Sequence, residues 1–342
     1  MKVVFFTTKY NERRIFMGGK RLIYLFSLIS LGCAAASATV YAATNNASVH
    51  GYDMENSYIR LSVEQDKRQS EYLRYKLKAV EGQLNNNEDD NKDLTYKHFY
   101  SGITSFRIND TDYVYGRGED VGTPSFNADE KCHTSAQRFG DVVIEQKLTF
   151  SEGFTKGFDD MLKISYKVLE TGESAYVGTD IVIDPMIDND DKAKFVVSGA
   201  EVGKEAFFSK NIPAEWKAEM SLSSSVSAYG KTNGVPHAPD TLYFGNWNKL
   251  YDELWNYSSD INSDINDGAV SVKWEPVKVE PGYEFTTYYG IKNYAAATDG
   301  NDVKLVNTSD SFPKASATLF AIALAAAAAS VVTYRKEKAD EK

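Results

Sequence analysis

The amino-acid sequence predicts a mainly β protein: an antiparallel β-sandwich ectodomain followed by one C-terminal transmembrane helix. Three observations carry this. Apolar and polar residues alternate with a period of two through much of the interior, and short strand-like runs recur about every ten residues without helical patterns between them. Twenty uncharged residues then lie between Lys314 and Arg335.

The alternation is cleanest in Leu73-Arg74-Tyr75-Lys76-Leu77-Lys78-Ala79, where every second residue is apolar and the others are basic, the pattern of a strand with one buried and one wet face. Residues 106–108 and 113–115 flank Asn109-Asp110, a hairpin signal. Further strand runs cover 142–150, 162–168, 177–183, 242–247, 269–274 and 285–291. Helical signals are few. Ile212-Pro213-Ala214-Glu215-Trp216 puts proline where a helical turn would start, and 247–255 sets Leu250 and Leu254 on one face. Short strands without βαβ alternation favour one sandwich over 57–294, a size that such folds reach as a single domain. Residues 43–56 read as a flexible lead-in, 81–92 as an exposed acidic loop and 295–314 as a polar stalk.

The ends predict export and anchoring. Six basic residues precede an uncharged stretch at 22–31, and the small-residue exit Val40-Tyr41-Ala42 places signal cleavage after Ala42. Residues 1–42 are thus a signal peptide, with Met17 a second start of ordinary length. The competing readings are an uncleaved helix over 22–43 and lipidation at Cys33, where Ser30 stands in place of the expected aliphatic residue. At about 1.5 Å per residue, 315–334 spans the ~30 Å hydrocarbon core. Arg335, Lys336 and Lys338 in the tail 335–342 set it on the cytoplasmic side. The expected location is the cell surface, on the extracellular face of the plasma membrane, with the membrane itself as a partner.

The chain carries a formal charge of −10; six basic and one acidic residue in 1–43, with four basic and three acidic in 315–342, leave 44–314 near −16. Such a surface repels phosphate backbones and argues against nucleic acid as a partner. After cleavage only Cys132 remains, so no internal disulfide forms and a large core must supply the stability.

Two constellations could bind something. Asp184, Asp188, Asn189, Asp190 and Asp191 place five hard oxygen donors within eight residues, which suits calcium, although the EF-hand order is absent. The alternative is a solvated turn capped by its own Asp and Asn side chains. Asn246, Trp247, Trp255 and Tyr257 combine rings on which sugars stack with amides that bind hydroxyls; their alternative is core packing. For catalysis the material is poor. The histidines at 50, 98, 133 and 237 have no zinc or Ser/His/Asp spacing, and adjacency points Cys132 and His133 apart on a strand. No catalytic residue is assigned. A binding or adhesion module for a surface glycan or protein ranks first, a ligand-free structural wall protein second and a carbohydrate-active enzyme third.

Phe312-Pro313-Lys314-Ala315-Ser316, followed by an apolar span and a basic tail, resembles the cell-wall sorting signal of Gram-positive surface proteins. In that family the pentapeptide reads Leu-Pro-any-Thr-Gly; here only the proline is kept. The resemblance implies attachment to the cell wall by sortase, and the span by itself supports retention as a membrane anchor. The segment Val177-Gly178-Thr179-Asp180-Ile181-Val182-Ile183-Asp184-Pro185, with Phe244-Gly245-Asn246-Trp247 and Trp274-Glu275-Pro276, resembles large β-sandwich domains of uncharacterised bacterial surface proteins. Their fold is similar to the sugar-handling supersandwich, which implies architecture more than activity.

Overall fold

The computed structural model describes residues 47–80, 90–99, 101–154, 156–220 and 226–292. The expected signal, stalk, transmembrane segment and tail lie outside the described residues, as does most of the acidic loop at 81–92. Among the described residues no helix is long and apolar enough to cross a membrane.

Three antiparallel sheets build the protein. The first runs in chain order through β1 (Ser48–His50), β2 (Asp53–Glu55), β3 (Ile59–Val63) and β4 (Tyr75–Ala79). Strand β4 realises the predicted alternation: Tyr75, Leu77 and Ala79 are buried, whereas Lys76 and Lys78 reach solvent. Strands begin at Ser48, inside the segment expected as a lead-in, because Met54 is fully buried in the core.

The second sheet has six strands, in the order β15 (Ala206–Phe208), β18 (Thr241–Asn246), β19 (Gly268–Lys278), β12 (Tyr176–Ile183), β5 (Ile103–Ile108) and β6 (Thr111–Val114). The β5–β6 hairpin turns on Asn109 and Asp110 at φ of 47° and 66°. Both values are left-handed, as the two-residue type I′ turn requires. The third sheet runs β14 (Ala200–Val202), β13 (Lys194–Val197), β16 (Glu215–Glu219), β17 (Ser227–Lys231), β20 (Glu284–Gly290), β11 (Met161–Glu170), β10 (Val142–Ser151), β9 (Cys132–Phe139) and β7 (Glu119–Asp120), with β8 (Ser125–Asn127) also on β9.

The second and third sheets face one another as a sandwich. Phe106 packs on Tyr166 at 5.4 Å and Phe244 on Trp216 at 5.9 Å, within a core that also holds Ile181, Val272, Leu148, Ile164 and Phe285. The four-stranded sheet joins the same core through Leu61, Tyr75 and Leu77. It is tied on by Tyr289, whose hydroxyl donates to the Leu94 carbonyl at 2.5 Å.

The six-stranded sheet is covered on its other face too. Helix α1 (Trp247–Glu253) and a 3-10 turn (Leu254–Asn256) lie across it, and Leu250 packs in a second cluster with Ile103, Val182, Tyr243 and Ala269. These elements fall where 247–255 predicted a helix. The turn expected at 212–216 is different: Glu215 opens β16. The reason is Trp216, whose indole sits among Phe195, Phe244 and Tyr289, and only an extended backbone points it inward there.

That indole lies over Gly230, the cross-strand neighbour of both Trp216 and Tyr289. A Cβ on Gly230 would come 2.0 Å from Trp216 Cε2. Overpacking of this kind costs about 1–3 kcal/mol. Gly230→Ala should therefore lower the unfolding free energy by that amount, read in urea as a lower midpoint with an unchanged slope; an unchanged midpoint would show that the indole moves aside freely.

Candidate functional site

Strand β12 ends at Ile183, opposite Val270 of β19, so the residues just beyond β12 lie beside those just before β19. This register brings Asp184 to Asp267, and the loop after β12 returns Asp191 to both. Carboxylate oxygens of Asp184, Asp191 and Asp267 all lie within 4.8 Å of one another. They floor a cavity of about 220 Å³ whose remaining walls are Tyr96, Trp247 and Asn248.

Asp184 and Asp267 are held by hydrogen bonds of their own backbone. The Asp184 carbonyl accepts from the Tyr96 amide at 3.1 Å, while its amide donates to Ser101 Oγ at 3.1 Å. Asp267 sits in a turn built on the Asn246 side chain, which accepts from the amides of Asn266 and Asp267 and donates to the Asp264 carbonyl. The Asp267 carbonyl in turn accepts from the Trp247 amide at 2.7 Å, fixing the start of α1. Asp184 is 2% exposed, and its Oδ1, like Oδ1 of Asp191, is buried without a hydrogen-bond partner.

Crowding shows in the acidities. Burial, then Asp267 and Asp191, raises the Asp184 carboxyl well above the usual range. Burial and the adjacent Asp190 raise Asp191, and burial with Asp191 pushes Asp267 up to about 6. Three hard oxygen donors that resist becoming three anions are the set here that could hold a cation.

Of the five donors expected from the acidic loop, the structure brings Asp184 and Asp191 together. The other three build the loop. Asp188, at φ 58°, pairs with Lys92 at 2.9 Å and its amide donates to the Asp93 carbonyl, while the Asp190 carboxylate accepts from the Lys192 amide. Asn189 is exposed and donates to Asp188. Asp267 was missed by sequence reasoning. Its only local signal is the turn-forming run Asn266-Asp267-Gly268 ahead of a strand, and nothing local links that run to Asp184.

The expected aromatic residues separate. Trp247 lines the cavity and Asn246 supports it from behind. Trp255 is buried at the far end of the helical segment, with the Arg107 guanidinium 5.0 Å and the Lys273 ammonium 4.6 Å from its ring. A Cβ on Gly178 would come 2.6 Å from that indole, so the strand beneath must be bare. Tyr257 stacks on Tyr243 at 4.7 Å, and its hydroxyl lies 2.8 Å from Ser271 Oγ, which donates to Asp180 Oδ1 at 2.6 Å. Asp180 lies two positions along β12 from Gly178, and Asp184 follows four positions later, just past the end of the strand. The helical segment thus begins over one buried carboxylate and ends over another.

Among the described residues no histidine joins Cys132 in a metal-ligating group. His133 is buried against Phe126, and burial pushes its imidazole down to about 4, so it is neutral. Cys132 is a buried free thiol.

No protein-family model matches the chain, and no curated protein matches it. Among solved structures, it is similar to a copper-containing benzylamine oxidase from Hansenula polymorpha, with a TM-score of 0.40 and 7% identity over 72% of this chain and 60% of that one. It is also similar to a 4-alpha-glucanotransferase from Thermococcus litoralis, with a TM-score of 0.27 and 11% identity over 58% of this chain and 29% of that one. The chain therefore spans less than two thirds of either protein.

Asp180 gives a pH prediction. Burial pushes its carboxyl up to about 7 against the opposing pull of Ser271 and Lys273, with Glu275 adding to the rise. An unfolded aspartate titrates near 3.9, so the folded protein holds this proton between about pH 4 and about pH 7. The stability it confers is complete below the lower value and lost as pH rises through the upper one. Asp180→Asn keeps an acceptor for Ser271 and removes the charge. In urea titrations it should match wild type near pH 4 and exceed it at neutral pH and above, at roughly 1.4 kcal/mol for each tenfold change in the acidity of the group. Equal curves at every pH would place the Asp180 carboxylate in a solvated setting.

Proposed function

We propose that this protein is a cell-surface binding module whose site is the cavity between Tyr96, Trp247, Asn248 and the three aspartates, and whose ligand is a surface glycan. One observation carries the reading: a partly exposed indole, an exposed amide and a floor of carboxylates converge on an open cavity at the end of a sheet. A sugar presents an apolar C–H face and a rim of hydroxyls. Trp247 suits the first, while Asn248 and the carboxylates suit the second. The walls come from the segments just past β12 and just before β19 and from the start of α1, and backbone hydrogen bonds at Asp184, Asp267 and Trp247 hold them in place without a ligand. The charge of the folded part favours neutral polymers over polyanions.

Presentation at the surface rests on the ends of the sequence. The signal at 1–42 directs export, 315–334 anchors the chain with 335–342 inside, and 295–314 lifts the folded part clear of the bilayer. The wall-sorting resemblance at Phe312-Pro313 adds sortase processing as a second mode of attachment.

Two measurements test this. In protease shaving of intact cells the folded part should be released, and the mature protein should begin at Ala43; protection of the chain, or an intact N-terminus, would refute surface display. On a glycan array, the full-length protein should bind one class of glycan and Trp247→Ala should bind it at least about tenfold more weakly, the loss expected when a stacking ring is removed. Silence across the array favours the structural reading, and equal binding by the variant moves the site elsewhere.

A further inference from the structure

We propose that Asp184, Asp191 and Asp267 form a divalent-cation site that takes calcium. The inference rests on the cavity being a binding site, not on a glycan being what it binds.

The donor set is entirely hard oxygen, with no imidazole or thiolate in the group. Calcium accepts such ligands at about 2.3–2.6 Å, so one ion can reach three oxygens that lie within 4.8 Å of one another. An acidic cluster alone would be ordinary on a chain this acidic. What separates this one is the buried, unpartnered Oδ1 of Asp184, a side chain 2% exposed that lines the cavity, with Oδ1 of Asp191 in the same condition. Buried oxygens are almost always hydrogen-bonded, and two left without partners at one cavity mark where a ligand supplies the missing interaction. Among the described ion pairs none includes any of the three, whereas the neighbouring Asp188 is neutralised by Lys92.

The choice of calcium follows from how the ligands are delivered. They come from three separate segments, the end of β12, the loop after it and the turn before β19, which gives an irregular arrangement. Calcium tolerates irregular shells of six to eight oxygens, whereas magnesium demands a near-octahedral shell at about 2.0–2.1 Å. The cavity of about 220 Å³ leaves room for waters or ligand hydroxyls to complete the shell. Trp247 and Asn248 stand over that open side, where a sugar diol could displace coordinated water.

The test is calorimetric titration of full-length protein, stripped with chelator, against calcium chloride and against magnesium chloride. Wild type should bind one calcium per chain and magnesium more weakly. Asp267→Asn and Asp184→Asn should each lose more than about tenfold in calcium affinity, since affinity follows ligand charge. Asp188→Asn, outside the triad, should keep wild-type affinity. Melting curves in chelator identify which variants fold, and Asp267→Asn, in an outer turn, stands if Asp184→Asn does not. Absence of calcium binding by wild type overturns the proposal whatever the variants do. So does wild-type affinity in a folded Asp267→Asn, or an equal loss in Asp188→Asn. Glycan capture that survives chelator alongside a failed titration would remove the cation and leave the binding module; calcium binding with a silent array would do the reverse.

Discussion

The middle of the six-stranded sheet is buried on both faces, and the rest of the structure follows from that. In an ordinary antiparallel sandwich each sheet has one wet face, and polar residues on it cost nothing. Here α1 and the 3-10 turn seal the outer face of β12 and β19, so that Asp180, Asp184 and Ser271 are all fully or almost fully buried. A buried carboxylate must find donors, take up a proton or take a cation. Asp180 takes the first two routes in part, through the hydrogen bond from Ser271 and a raised pKa that keeps its proton. Asp184 takes the second route, its carboxyl raised by burial and by Asp267 and Asp191, and its unpartnered oxygen beside a cavity is what the proposed cation would satisfy.

The same covering element that creates this demand also shapes the site. Trp247 and Asn248 open α1, and Asn246 just before them organises the turn that carries Asp267. Cavity wall and the Asp267 carboxylate are therefore linked through three consecutive residues. The register of β12 on β19 brings Asp184 beside the turn that carries Asp267, and the loop after β12 brings Asp191 to both.

Much of the fold was legible in the sequence, for a clear physical reason. Alternation over 73–79 and 162–168 became β4 and β11 because one face of each strand meets the shared core. Asn109-Asp110 formed its hairpin because those residues tolerate left-handed backbone. Local pattern failed where a long-range contact decided the outcome. Trp216 drew 215–219 into a strand against a local helix signal, and Met54 drew an expected lead-in into a sheet. The loop after β12 was legible as an acidic segment but not in its wiring. Composition cannot tell that Asp188 turns back to Lys92, that Asp190 caps its own loop, or that the partner of Asp184 and Asp191 lies before a strand far along the chain.

Crystallography with a bound ion tests the central claim most directly. Crystals of the protein grown with calcium, or with terbium as its anomalous substitute, should show one strong anomalous peak at about 2.3–2.6 Å from oxygens of Asp184, Asp191 and Asp267, with Trp247 bordering the open side of the ion. Solvent or a lysine ammonium in that position, with no anomalous signal, would contradict it.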